Sequence, residues 1–162
     1  MIVSRAAMSH ILRGNFMANT FTSLQFHVVF STKCREPWLT SELQPRLWAY
    51  LGGIARQNQM EPLLIGGMPD HVHALLGSKP TSCLSQGMQK FKGASSHWIR
   101  ENLAGCGAFA WQDGYAAFSV SKSNIPEVRE YIRNQPEHHR FKTFEEEYRT
   151  LLERHEIGYD EK

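Results

Sequence analysis

Residues 63–77 read Leu-Leu-Ile-Gly-Gly-Met-Pro-Asp-His-Val-His-Ala-Leu-Leu-Gly, and the fold turns on them. Leu63-Leu64-Ile65 predicts a short strand ended by Gly66-Gly67. Pro69-Asp70 is a turn signal, because proline presets the backbone and aspartate bonds to it locally. His71 to Leu76 predicts a second strand, stopped by Gly77. A period of two then puts His71 and His73 on one face, and Val72, Ala74 and Leu76 on the other, where a core belongs. Upstream, Leu24, Phe26, Val28 and Phe30 alternate with Gln25, His27 and Val29, a further half-buried strand.

Helices separate the strands. Ser41, with Gln44 three residues on, predicts a capping box for a helix with Leu43, Leu47, Tyr50, Leu51 and Ile54 on its apolar stripe. A long helix is expected from Ser82 to Asn102, with Leu84, Met88, Phe91, Ser95 and Trp98 inward. Phe109-Ala110-Trp111 and Tyr115–Val120 predict two strands joined as a hairpin through Asp113-Gly114. Asn124 and Glu127 then cap a helix that Pro136 terminates. Thr143 and Glu146 cap a last one carrying Tyr148, Leu151, Leu152 and His155. The order β-α-β-β-α-β-β-α-α predicts an α+β fold of ferredoxin-like or RRM-like type, an antiparallel sheet with helices packed on one face.

Of 162 residues, 41% are hydrophobic and 21% charged, enough for one core and against disorder. The formal charge is +2, so any nucleic-acid surface is a local patch rather than a global field. The three cysteines, Cys34, Cys83 and Cys106, form no Cys-x-x-Cys pair. That argues against a disulfide framework or a cysteine zinc site and fits a reducing cytoplasm. No apolar run approaches a membrane span. The strand pattern begins after Met17, so residues 1–16 are expected to be a disordered or misannotated extension, and residues 17–162 the single domain.

Two constellations carry chemistry. His71 and His73, side by side on a strand, can share a divalent metal, but two ligands bind weakly and a third is needed. They can equally be ordinary surface histidines. Tyr131 and Gln135 stand at i and i+4 on the expected helix. The amide oxygen suits Mg²⁺ or Mn²⁺. The phenol is a nucleophile that is weak near neutral pH without a base or a polarised electrophile. Tyr131 can also simply edge the core.

Taken together, Pro69-Asp70-His71-Val72-His73 and the later Tyr131-Ile132-Arg133-Asn134-Gln135 resemble the single-tyrosine HUH transposases of small bacterial insertion sequences, the two-hundred/six-hundred-and-five group. Gln89–Gly93, Trp111–Tyr115, Phe118–Ser121 and Pro136–His139 belong to the same resemblance. It implies His71, His73 and Gln135 as metal ligands and Tyr131 as nucleophile, on a catalytic helix near the other face of the sheet. It implies cleavage and rejoining of single-stranded DNA at hairpin-marked element ends through a 5′-phosphotyrosine. It also implies a homodimer in which the tyrosine helix of one subunit completes the site of the other.

DNA contacts have weaker signatures. Lys90, His97 and Arg100 lie on one stripe of the long helix with Gln86 and Gly93, able to follow phosphates or simply to face water. Lys33 and Arg35 form a second candidate patch, and Trp38 and Trp111 offer rings for stacking. His138 and His139 can touch DNA or hold the catalytic helix. Three other activities stay open: a non-catalytic single-strand binder, a metal-dependent hydrolase using water, and a domesticated relative acting on dispersed palindromic repeats.

Overall fold

Strand β1, Leu24–Ser31, organises the sheet. It pairs antiparallel with β3 (His71–Ser78) on one side and β4 (Ala116–Ser119) on the other. Strand β2 (Met60–Met68) pairs antiparallel with β3, giving the order β2-β3-β1-β4. Helix α1 (Gln44–Gln57) links β1 to β2, and α2 (Leu84–Asn102) links β3 to β4. These two split β-α-β units are the expected ferredoxin-like α+β arrangement. The computed structural model describes residues 21–159; the extension expected over residues 1–16 lies outside them.

Alternation along the strands divides the protein into layers. Val28, Phe30, Val72, Ala74 and Leu76 point to one face and form the main core with Leu47, Leu51, Met88, Phe91 and Ile99 of α1 and α2. Each of these side chains other than Ala74, fully buried, contributes about 1.5–3 kcal/mol relative to exposure. The opposite face is covered too, which removes the alternative that His71 and His73 are ordinary surface histidines. Val29 packs with Phe118, Phe144, Leu151 and Leu152, and Leu75 with Ile125 and Ile132. The covering layer consists of α3 (Ile125–Arg133), α4 (Gln135–His138) and α5 (Phe144–Arg154).

Several local expectations are overturned, each for a physical reason. Gly66-Gly67 does not end β2, which runs to Met68. A Cβ on Gly66 would lie 2.9 Å from Ile132 Cγ2, and one on Gly67 2.2 Å from the His71 carbonyl oxygen. Glycine here marks close approach rather than a stop.

Residues 109–120 are not a hairpin either. Thr32 bridges Trp111, and Val29 pairs with Ala116, so both pieces run in one direction along β1. Residues 112–115 loop out between them, with Lys92 Nζ donating to the carbonyls of Gln112 (2.6 Å) and Gly114. Asp113-Gly114 therefore turns a bulge. Trp111 is drawn inward, where its Nε1 donates to Ser95 Oγ at 2.9 Å.

The Ser41 capping box is absent. Helix α1 starts at Gln44 with Pro45 in its first turn. A helix opening at Ser41 would place that proline where a backbone N–H is required. Asn124 makes no side-chain cap. Pro136 opens α4 rather than only ending α3, so Tyr131 and Gln135 lie on two helices broken at Asn134. The Thr143–Glu146 capping box forms as expected.

Candidate metal and nucleophile site

The site lies between the sheet and the α3–α5 layer. β3 supplies His71 and His73, both with no exposed surface. Across from His73 on β2 stands Gly66, and it is this missing side chain that lets Ile132, and hence α3, settle onto the sheet. Tyr131 is thereby brought near the pair, its ring 5.9 Å from that of His73. Within the same chain Gln135 Oε1 reaches 3.1 Å from His71 Nε2.

Each histidine is oriented from behind. His71 Nδ1 donates to Asp70 Oδ1 at 2.7 Å, and Asp70 Oδ2 accepts from Arg35 Nε at 3.2 Å. Burial works to raise the Asp70 carboxyl, but the His71 hydrogen bond and then the His71 and Arg35 charges overcome it and hold it low. His73 Nδ1 meets His27 Nε2 at 2.9 Å. Burial, and then His73, push His27 down to about 3, so it stays neutral. Burial likewise lowers His73. Both Nε2 atoms are thus left toward the covering layer, and His73 Nε2 is buried without a hydrogen-bond partner.

Facing them is Glu147 of α5, 2% exposed. Its Oε2 lies 3.4 Å from His73 Nε2 and 3.7 Å from His71 Nε2. Its Oε1 accepts from Gln135 Nε2 (2.7 Å) and from the Tyr131 hydroxyl. Burial alone would raise Glu147, yet the nearby His73 imidazole and the bonds from Gln135 and Tyr131 outweigh it and hold the carboxyl well below its ordinary range. Burial first, then Glu147, push the Tyr131 hydroxyl well above the ordinary phenol range. His139 closes the corner, with Nδ1 to the Lys142 carbonyl (2.9 Å) and Nε2 by Gln135 Oε1 (3.0 Å) and Glu147 Oε2 (3.1 Å).

His71, His73 and Glu147 are a group of metal-ligating type, their ligand atoms all within 4.8 Å of one another. Ligands at about 2.1 Å from one ion stand roughly 3.0–3.4 Å apart in octahedral or tetrahedral geometry. The separations above, the unpartnered His73 nitrogen and the oxygen donors of Glu147 and Gln135 fit a small divalent cation.

Glu147 and His27 were not singled out in the sequence. The signal for Glu147 was present: it stands between Phe144 and Leu151 at +3 and +7, an acid on the apolar stripe of an amphipathic helix. The proposed DNA-contact residues are scattered. Lys90, His97 and Arg100 lie on α2, on the far side of the sheet from the histidines. His97 pairs with Glu101 (3.1 Å), and Arg100 donates to the Phe109 carbonyl (3.1 Å). Arg35 is engaged by Asp70 and by Glu145 (2.8 Å), stacked over Phe144. Lys33 is exposed beside it.

An antiparallel ferredoxin-like sheet with a buried histidine–carboxylate cluster, and a tyrosine hydroxyl on that carboxylate, defines a class of candidate metal-dependent enzymes. Comparison with known proteins narrows it. The family model described as IS200-like transposase matches residues 20–135, and the chain belongs to this family, the Y1 transposases, which cut and join DNA. The ISDra2 transposase TnpA of Deinococcus radiodurans is 30% identical over 119 residues, covering 69% of this chain and 84% of that protein. The transposase of insertion sequence IS200 from Salmonella typhimurium is 26% identical over 126 residues, covering 75% and 82%. A crystal structure described as a transposase from D. radiodurans R1 superposes with a TM-score of 0.58 at 28% identity, covering 75% of this chain and 98% of that one. A REP-associated tyrosine transposase bound to a REP hairpin shares the fold, with a TM-score of 0.57 at 16% identity over 78% and 74% of the two chains. Among the described residues no helix is long and apolar enough to cross a membrane.

Proposed function

We propose that this transposase cuts and rejoins single-stranded DNA at hairpin-marked element ends by transesterification through Tyr131. One observation carries the reading: a single buried carboxylate, Glu147, holds the Tyr131 hydroxyl on one oxygen and faces both His71 and His73 with the other. Nucleophile and metal site are thus one functional group apart.

His71, His73 and Glu147, with the amide oxygen of Gln135, would hold Mg²⁺ or Mn²⁺. Such an ion supplies charge neutralisation at a phosphodiester oxygen. Asp70 and His27 keep the two imidazoles in the tautomer that presents Nε2. The phenol is kept protonated by its surroundings, so attack requires an acceptor, and Glu147 Oε1 already receives that hydrogen bond. The Tyr131 oxygen bonds to phosphorus as the P–O3′ bond breaks, its proton passing to Glu147 while the leaving 3′ oxygen takes a proton from water; this gives a 5′-phosphotyrosine and a 3′-hydroxyl, and the reverse step joins strands without a nucleotide cofactor. One domain over residues 17–162 suffices, since all these groups come from one chain. A homodimer remains part of the proposal, and here it would share DNA rather than supply a missing ligand.

The test is a purified protein incubated with single-stranded DNA from its own element ends and Mg²⁺ or Mn²⁺. A covalent protein–DNA adduct is expected, and Tyr131→Phe should abolish it while hairpin binding persists. An undiminished adduct in that variant refutes Tyr131 as nucleophile. Turnover without an adduct indicates attack by water, and activity indifferent to chelation removes the metal.

A further inference from the structure

Beside Tyr131 lies a half-open cavity of about 390 Å³ that shares only Tyr131 and His27 with the cluster just described. Its size falls within the range of roughly 300–1,000 Å³ typical of small-ligand sites. Its apolar wall is the buried ring of Phe118 with Val128 of α3 and the Tyr131 ring. The His155 imidazole stacks on Phe118 at 4.3 Å between centroids, and its Nδ1 donates to the Leu151 carbonyl, leaving Nε2 for a ligand. Asn124 adds an amide at the rim.

Arg154, in the last turn of α5, completes the lining. It is exposed, and among the described residues no carboxylate or hydrogen-bond acceptor engages it. It lines the same cavity as Tyr131. An unpaired guanidinium beside the nucleophile is suited to a phosphate. Glu127 is the one carboxylate in the lining and stands exposed, where it can accept from the amino group of a base.

A phosphodiester within reach of Tyr131 carries a nucleotide on either side, and in single-stranded DNA those bases are free to leave the stack. We infer that this cavity receives the base of a nucleotide flanking the scissile phosphate, with Arg154 pairing a phosphate of the same strand. The inference rests on the proposed transesterification and adds a protein-borne subsite for the cleavage position, separate from hairpin recognition.

The experiment uses the full chain as Tyr131→Phe, so that binding is not confounded by cleavage. The probes are a single-stranded oligonucleotide from the element end that includes hairpin and cleavage position, and the hairpin alone. Adding Arg154→Glu or the cavity-filling Val128→Trp should weaken the long oligonucleotide roughly tenfold, the scale of one lost stacking or phosphate contact, and leave the hairpin unchanged. An abasic site on one side of the cleavage position should cost a similar factor in the protein that keeps Val128. It should cost nothing further in the Val128→Trp protein, whose cavity is already filled. Equal losses for long oligonucleotide and hairpin, or an abasic penalty identical in both proteins, overturn the inference. Adduct formation by protein with Tyr131 intact separates the two failures. No adduct at all sinks the transesterification reading, whereas an adduct with unaffected cavity variants sinks only the subsite.

Discussion

Replacing Gly66 by alanine tests how α3, which carries Tyr131, is seated. The new Cβ would lie 2.9 Å from Ile132 Cγ2, whereas carbon atoms in good contact are about 3.5–4.0 Å apart. Helix α3 must therefore retreat by about 0.6 Å or more, or Ile132 must leave its rotamer. Overpacking of this kind costs about 1–3 kcal/mol. Strand preference alone would act the other way, favouring alanine by roughly 0.5–1 kcal/mol, so the sign itself is informative. Ile132→Ala, at a site 3% exposed, should cost about 2–5 kcal/mol through its cavity. In the double variant the alanine at 66 meets no methyl group and partly fills the hole, so the total should fall short of the sum by about 1–2 kcal/mol. Urea denaturation of the four proteins in the presence of chelator measures the cycle. Losses that add within about 0.5 kcal/mol would show that Gly66 and Ile132 do not meet and would refute the seating argument. Because Tyr131 adjoins Ile132, a displacement approaching 1 Å should also slow adduct formation by about 100-fold in Gly66→Ala.

Acid should destabilise the metal-free protein through His27. Its folded value of about 3 lies below the ordinary 6.5, so the unfolded chain binds the proton first, and the stability present above about pH 6.5 is lost as pH falls toward 3. Between pH 7 and 5 this amounts to about 2 kcal/mol. Urea midpoints at the two pH values should converge in His27→Gln, and an unchanged slope would count against a neutral buried His27. Asp70→Asn should lower Mn²⁺ affinity by about 10–100-fold, read by calorimetry, since the orienting acceptor of His71 Nδ1 is weakened; unchanged affinity would mean that His71 needs no such support.

The sheet was legible because its strands carry period-two alternation, which is a local property. Gly66-Gly67 was misread because glycine has the same local meaning at a chain stop and beneath a docked helix, and only Ile132, 66 residues on from Gly66, decides which. Asp113-Gly114 was misread similarly: its turn chemistry is right, but whether the flanks pair with each other or both with β1 depends on the distant Thr32 and Val29. Of the site, His71, His73, Tyr131 and Gln135 stood out through their joint resemblance to a family pattern, since the spacing of either pair alone left a bland reading open. Glu147 did not, because its role depends on α5 folding back over β3. Arg35 looked like a free cation and is instead tied to Asp70 and Glu145, since a short-range reading sees charge and not its partner.

The ligand-type groups are divided between two bodies. His71 and His73 belong to the sheet, while Gln135 and Glu147 belong to the layer laid over it. Any ion bound across that seam and the docking of the layer are thermodynamically linked, and the linkage is reciprocal. Each tenfold of affinity that the ion gains from a docked layer is about 1.4 kcal/mol by which the ion clamps the layer down. On the proposed mechanism, a strand of DNA reaching the fully covered histidines would have to part the seam and work against that clamp, so a chelator should ease its entry while abolishing the proposed cleavage.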